Sequence, residues 1–201
     1  MFKVCIVKQF ELDWLIDKKR LIFGVCSVLD GRIKMELKPH DIHVDAIELA
    51  LVKARQYRSL LEPEIAESIC LDILNIEQDN QQALVIYILA LTDQLHHTEK
   101  QSQIRDIKAT INRLSSMYER YYYSGILSER RARFLVSQPM SQTFAYDYFI
   151  EAMAEYQQAE QHSPVHNDDA ILRQNSCIRT IEKEKLKPRQ DNDHILTDME
   201  S

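Results

Sequence analysis

Glycine is almost missing from this chain. Only Gly24, Gly31 and Gly125 occur among 201 residues, against an average usage of about 7%. Tight hairpins and phosphate-cradling loops draw on glycine for backbone conformations that other residues avoid. Helices joined by short polar turns do without it. The shortage therefore favours an all-α protein. It also excludes the nucleotide-binding loops, since neither G-x-G-x-x-G nor G-x-x-x-x-G-K occurs.

Other absences narrow the function. Basic residues are outnumbered, 25 against 31 acidic, for a net charge of −6 and a pI of about 5.7. Such a chain is poorly suited to a nucleic-acid backbone, which needs lysine and arginine against phosphate. No apolar run approaches the roughly 18 residues of a membrane span. Lys3, Lys8, Glu11 and Asp13 break up the N-terminal apolar residues, unlike a secretory leader. Neither nucleic acid nor membrane is expected as a partner, and a cytoplasmic location is. The cysteines, Cys5, Cys26, Cys70 and Cys177, form no C-x-x-C pair and read as reduced small hydrophobes. No nucleophile elbow, zinc signature or catalytic-cysteine context is present, so no enzymatic activity and no cofactor are assigned.

Histidine and aspartate come together in three places: His40-Asp41-Ile42-His43-Val44-Asp45, His96-His97, and His162 and His166 with Asp168 and Asp169. A metal needs at least three ligands converging on one point. Adjacent histidines on a helix face different ways. These segments read as polar entries into helices, and no metal site is assigned.

What the chain has is helical period. Residues 1–40 stand apart. They are rich in β-formers, and Asp30-Gly31 followed by alternating Ile33, Met35 and Leu37 is a hairpin signal. A small β-hairpin or irregular extension is expected. A second reading has translation start at Met35, since Gly31 to Lys34 can be encoded by a purine-rich ribosome-binding sequence. Residues 1–34 would then not be native. From about Asp41, Val44, Ile47, Leu51, Ala54 and Tyr57 recur at helical spacing, with Asp41 or Asp45 as the expected cap. Leu60-Leu61-Glu62-Pro63 breaks that helix, and Pro63 suits the first turn of the next.

The stretch from Glu62 to Leu91 organises the rest. Ala66, Cys70 and Ile73 share a helix face, widened by Ile69, Leu71 and Leu74. Glu77 to Asn80 is a polar turn in which Asp79 or Asn80 can cap the following helix. Ala83, Leu84, Tyr87, Ile88 and Leu91 restart the period. Further helices are expected over Ile104 to Met117 or Tyr118, Tyr118 to Val136, Phe144 to Gln161, and Ala170 to about Lys183. The last is capped by Asn167-Asp168-Asp169. A helical domain over 41–183 is thus expected, followed by a charged, disordered tail over 184–201.

Two stretches carry a family resemblance. Ala66, Cys70 and Ile73, and again Ala152, Tyr156, Ala159 and Pro164, match the second-helix signature of the tetratricopeptide repeat (TPR). Ala50, Ala54 and Tyr57 match its first helix. The pair over 44–76 is close to the family's period of about 34 residues. The chain resembles small bacterial proteins with degenerate repeats. The resemblance implies a right-handed stack of antiparallel helix pairs that binds a partner protein or peptide in a concave groove. It places Arg55, Arg58, Gln82, Asp93, Glu129, Arg133 and Asn175 on that groove. A homo-oligomer is compatible with it. So is a second role, as a chaperone for a secreted effector or translocator, because small acidic three-repeat proteins serve bacterial type III secretion.

Two surface features complete the reading. Glu129-Arg130-Arg131-Ala132-Arg133 is the densest basic cluster. It reads either as a clamp for carboxylates or as a solvated face with Glu129 paired to Arg133 at i, i+4. Tyr121 and Tyr122 read as an exposed pair beside it, of the kind that binding hot spots contain.

Overall fold

A computed structural model describes residues 26–29, 32–35, 37–96, 101–138 and 141–189. The chain divides into two units, Met1–Asp41 and Ile42–Ser201. In the first, strands β1 (Cys26–Leu29) and β2 (Arg32–Met35) pair antiparallel, with Leu29 opposite Arg32 and Cys26 opposite Met35.

The second unit is helical throughout its described elements. A short 3-10 turn, Val44–Ala46, leads into α1 (Ile47–Ser59). Then follow α2 (Pro63–Ile76), α3 (Gln81–Asp93), α4 (Gln101–Asn112), α5 (Met117–Val136), α6 (Gln142–Gln161) and α7 (Asp169–Glu184). Pro63 sits in the first turn of α2, where its missing N–H is no loss. Asn80 caps α3 by accepting from the Ala83 N–H at 2.9 Å. Ser116 does the same for α5 through the Glu119 N–H.

Several local expectations are corrected. Neither Asp41 nor Asp45 caps α1; its N-cap is Ala46, without a side-chain bond. Val44 is exposed rather than in the core, as are Leu71 and Met117. Asp168 makes no capping bond, and Asn167 Oδ1 accepts from the Asp169 N–H instead. Nor does the packed chain end near Glu184. The Lys185 N–H donates to Glu182 O and the Leu186 N–H to Ile181 O. Lys185 itself is left-handed at φ 54°. This is a Schellman closure, and Leu186 folds back into the core as such closures favour. Leu61, at φ 63°, ends α1 in the same way, with Glu62 N–H to Tyr57 O. Residues other than glycine hold both left-handed positions, so the scarcity of glycine did not preclude these ends. The disorder expected of the tail beyond Arg189 lies outside the described residues.

Each helix packs on the next, and α1 also touches α3, α3 touches α5, and α5 touches α7. The odd-numbered helices thus form one continuous layer. Two apolar clusters fill the unit. The first joins Ile47, Leu51 and Ala54 with Cys70, Ile73, Leu84, Ile88, Ile107 and Leu127. The second joins Ile126, Phe149, Ala152, Tyr156, Ala170 and Cys177. Adjacent residues of α5, Ile126 and Leu127, therefore serve opposite clusters, which makes α5 the junction.

The small residues are where helices meet closely. Ala66 and Ala152 are both fully buried. Ala66→Leu and Ala152→Leu should each destabilise by about 1–3 kcal/mol, because a close-packed site has no room for three more carbons. Urea denaturation followed by circular dichroism measures this. An unchanged midpoint for both would show that these crossings are loose.

Candidate functional site

A polar seam runs along the layer of odd-numbered helices. At its start, Arg55 of α1 donates to Gln82 Oε1 of α3. One turn on, Arg58 Nε donates to Asp93 Oδ2 at 2.6 Å, and Arg130 Nη2 of α5 donates to Asp93 Oδ1 at 2.9 Å. Asp93 is thus held from both sides, and the pairs tie α1, α3 and α5 together. Helical spacing explains this. Gln82, Val85, Leu89 and Asp93 share a stripe of α3 that is not fully buried. A cleft of about 390 Å³ opens beside Asp93, lined by Arg58, Arg130, Gln94, Glu64 and Leu61 among others.

The seam ends on a buried carboxylate. Glu129 is 1% exposed. Its Oε2 accepts from the Tyr156 hydroxyl at 2.7 Å, and its Oε1 from Arg133 Nε at 2.8 Å. Arg173 Nη1 of α7 approaches both oxygens at 3.4 Å. Arg133 continues to Ser176 Oγ at 3.0 Å and Thr180 Oγ1 at 3.3 Å. One carboxylate therefore joins α5, α6 and α7. Burial, and the Glu129 charge next, push the Tyr156 hydroxyl far above its ordinary value, so it remains a donor. Burial works to lower the Arg173 value, but Glu129 and the neighbouring tyrosines outweigh it and leave it raised. Both arginines keep about a third of their side-chain surface open.

The expected site residues fall out unequally. Arg55, Arg58, Gln82 and Asp93 are brought together, yet Arg58 is bonded to Asp93 rather than projecting alone. Glu129 is corrected. It is expected on the groove, but its carboxylate is buried in the helix packing and bonded to Tyr156, Arg133 and Arg173. Arg133 is its i, i+4 partner and remains partly open to solvent. Asn175 is half-buried on α7, about 100° round from Ser176 and outside the network.

The exposed tyrosine pair is also corrected. Tyr121 stacks on His162 at 5.6 Å, and Tyr122 stacks on Tyr118 at 5.5 Å and meets Tyr123 edge-on. Both are packed against the second apolar cluster. Arg173 and the Tyr156 hydroxyl went unread in the sequence. The one legible signal was the tyrosine itself, since a buried Tyr needs a partner for its hydroxyl.

The two described buried thiols are held in the protonated form. Burial, then Glu67, pushes the Cys70 thiol up to about 12, and burial, then Glu129, does the same for Cys177. Such thiols stay protonated at neutral pH. Among the described residues no three metal-ligating side chains converge, and no described helix is long and apolar enough to cross a membrane. Comparison with family models, with curated proteins and with solved structures returns no match.

Proposed function

We propose that this protein is a protein-interaction scaffold, built as about three degenerate TPR-like helix pairs with α7 closing the stack, and that the odd-numbered layer receives an acidic segment of a partner. One observation carries the reading. In a chain of net charge −6, the seam gathers Arg55, Arg58, Arg130, Arg133 and Arg173, four of them paired with Asp93 or Glu129. The guanidinium fork suits bidentate contact with carboxylates. The side-by-side packing of α1, α3, α5 and α7 supports the stacked arrangement, in which first helices line the binding face.

Arg58 is a poor probe, since glutamate there would face Asp93. The Arg55 and Gln82 side chains are exposed and bonded to each other. The test is fluorescence anisotropy with a labelled glutamate-rich peptide and a glutamine-rich one of equal length. The acidic peptide should bind at low salt and release at high salt. Arg55→Glu with Gln82→Glu should weaken it about tenfold or more, with the melting temperature unchanged. Equal binding of the neutral peptide, or no effect of the double variant, would overturn the reading.

A further inference from the structure

The chain changes charge abruptly beyond the last helix. Residues 183–189 carry Lys183, Lys185, Lys187 and Arg189 against Glu184. Residues 190–201 carry Asp191, Asp193, Asp198 and Glu200, and neither lysine nor arginine. The point at which this acidic segment begins is fixed. Leu186 is buried behind the closure of α7. Arg189 lies over the Phe144 ring at 4.5 Å, with its Nη2 3.8 Å from Asp147 Oδ2. Both partners belong to the first two turns of α6. The next residues of α6 meet α5. Arg131 Cζ stands 4.0 Å from the centre of the Tyr148 ring, and Arg133 Cζ stands 5.9 Å from that of Phe149. The segment therefore starts against the same end of α6 that carries the arginines of α5.

Those arginines hold surplus positive charge. Arg58 and Arg130 share the single carboxylate of Asp93, and Arg133 and Arg173 share that of Glu129. Each junction thus sets two cations against one anion. Glu64, which lines the cleft at Asp93, offsets part of the first excess. At the second, Arg133 and Arg173 stay partly open to solvent while Glu129 is buried beneath them. Reach agrees with charge. Neighbouring helix axes lie about 8–10 Å apart, and a dozen residues extend to roughly 40 Å.

We propose that residues 190–201 dock on Arg133 and Arg173 at the α5–α7 end of the seam and compete there with the acidic segment of a partner. The docking rests on the acidic-segment reading of the seam and makes the chain its own competitor. Guanidinium groups donate charge-assisted bonds to the aspartate and glutamate side chains of the segment. Tethering raises the local concentration of the segment to about the millimolar range, so contacts that are weak one by one suffice to occupy the site. A partner then binds with an affinity reduced by the fraction of seam left open.

The test compares the isotope-labelled full chain with a full-length variant carrying Asp191→Asn, Asp193→Asn, Asp198→Asn and Glu200→Gln together. These substitutions touch no described contact. The first readout is the backbone and arginine Nε–Hε spectrum. Neutralising the segment should move the Arg133 and Arg173 signals, and a synthetic peptide of residues 190–201 added to the variant should move them back. The second is anisotropy with the labelled glutamate-rich peptide. The variant should bind it roughly tenfold more tightly than the wild type at low salt, with the difference lost at high salt. Unmoved Arg133 and Arg173 signals, or movement confined to residues 183–189, would overturn the docking. Equal affinity of the two chains for the peptide would overturn the competition. Moved signals with peptide binding to neither chain would uphold the docked segment and sink the acidic-partner reading instead.

Discussion

Glu129→Ala should cost this protein about 3–5 kcal/mol, the range for removing one partner of a buried charged network. The carboxylate is nearly sealed from water, and its loss leaves Arg133, Arg173 and the buried Tyr156 hydroxyl facing a void. Total domain stability is only about 5–15 kcal/mol, so the variant should show a large fall in its urea midpoint. Glu129→Gln separates charge from shape. It still accepts from Tyr156 but no longer neutralises the two arginines, and should lose about 1.5–3 kcal/mol. Equal stability of the alanine variant and the wild type would mean that the network does not hold α5, α6 and α7 together. A second consequence concerns binding. Because Glu129 orients Arg133 and Arg173, the glutamine variant should also weaken capture of the acidic peptide, although Glu129 itself never meets it.

Gly125→Leu should be comparably damaging, by about 3 kcal/mol or more. Gly125 lies inside α5, where glycine is ordinarily worse than alanine by about 1 kcal/mol. Its use there has a steric reason. A Cβ at this position would stand 2.5 Å from Tyr156 Cε1 and 2.7 Å from Cδ1, closer than atoms can approach. The Tyr156 ring therefore packs directly against α5 at Gly125, and its hydroxyl reaches Glu129 one turn along. Gly125→Ala should be destabilising in spite of its better helix propensity, since overpacking by about 1–3 kcal/mol exceeds the gain. A double-mutant cycle identifies the cause. Tyr156→Phe keeps the ring atoms and should not relieve Gly125→Ala. Tyr156→Leu removes them and should make the alanine substitution nearly neutral in its background. Additive costs in both backgrounds would place the strain elsewhere.

Much of the fold was legible because helix formation is local. Apolar spacing at 3.6 residues marked the α2 face of Ala66, Cys70 and Ile73 and the α4 face of Ile104, Ile107 and Ile111, all of them buried. Asn80 and Pro63 announced helix starts through their own chemistry. The misread positions were at ends and edges. Leu186 followed a charged, apolar-poor stretch, and only its closure against Ile181 brings it into the core. Helix spacing alone puts Tyr121 and Tyr122 on the surface, whereas His162, Tyr118 and the second apolar cluster cover them.

The sequence by itself determined the helical class of the structure. Net charge, the absence of glycine loops and unbroken helical period are properties of residues and their near neighbours. Tertiary packing alone decided the site. Arg58 meets Arg130 across Asp93 only because α1 and α5 lie on either side of α3. Glu129 became a structural centre only because Tyr156 and Arg173 arrive from α6 and α7. A charged side chain reads the same in sequence whether it faces water or another helix. Its role depends on what lies within a few ångströms, and contacts between residues tens of positions apart are set by how the helices stack.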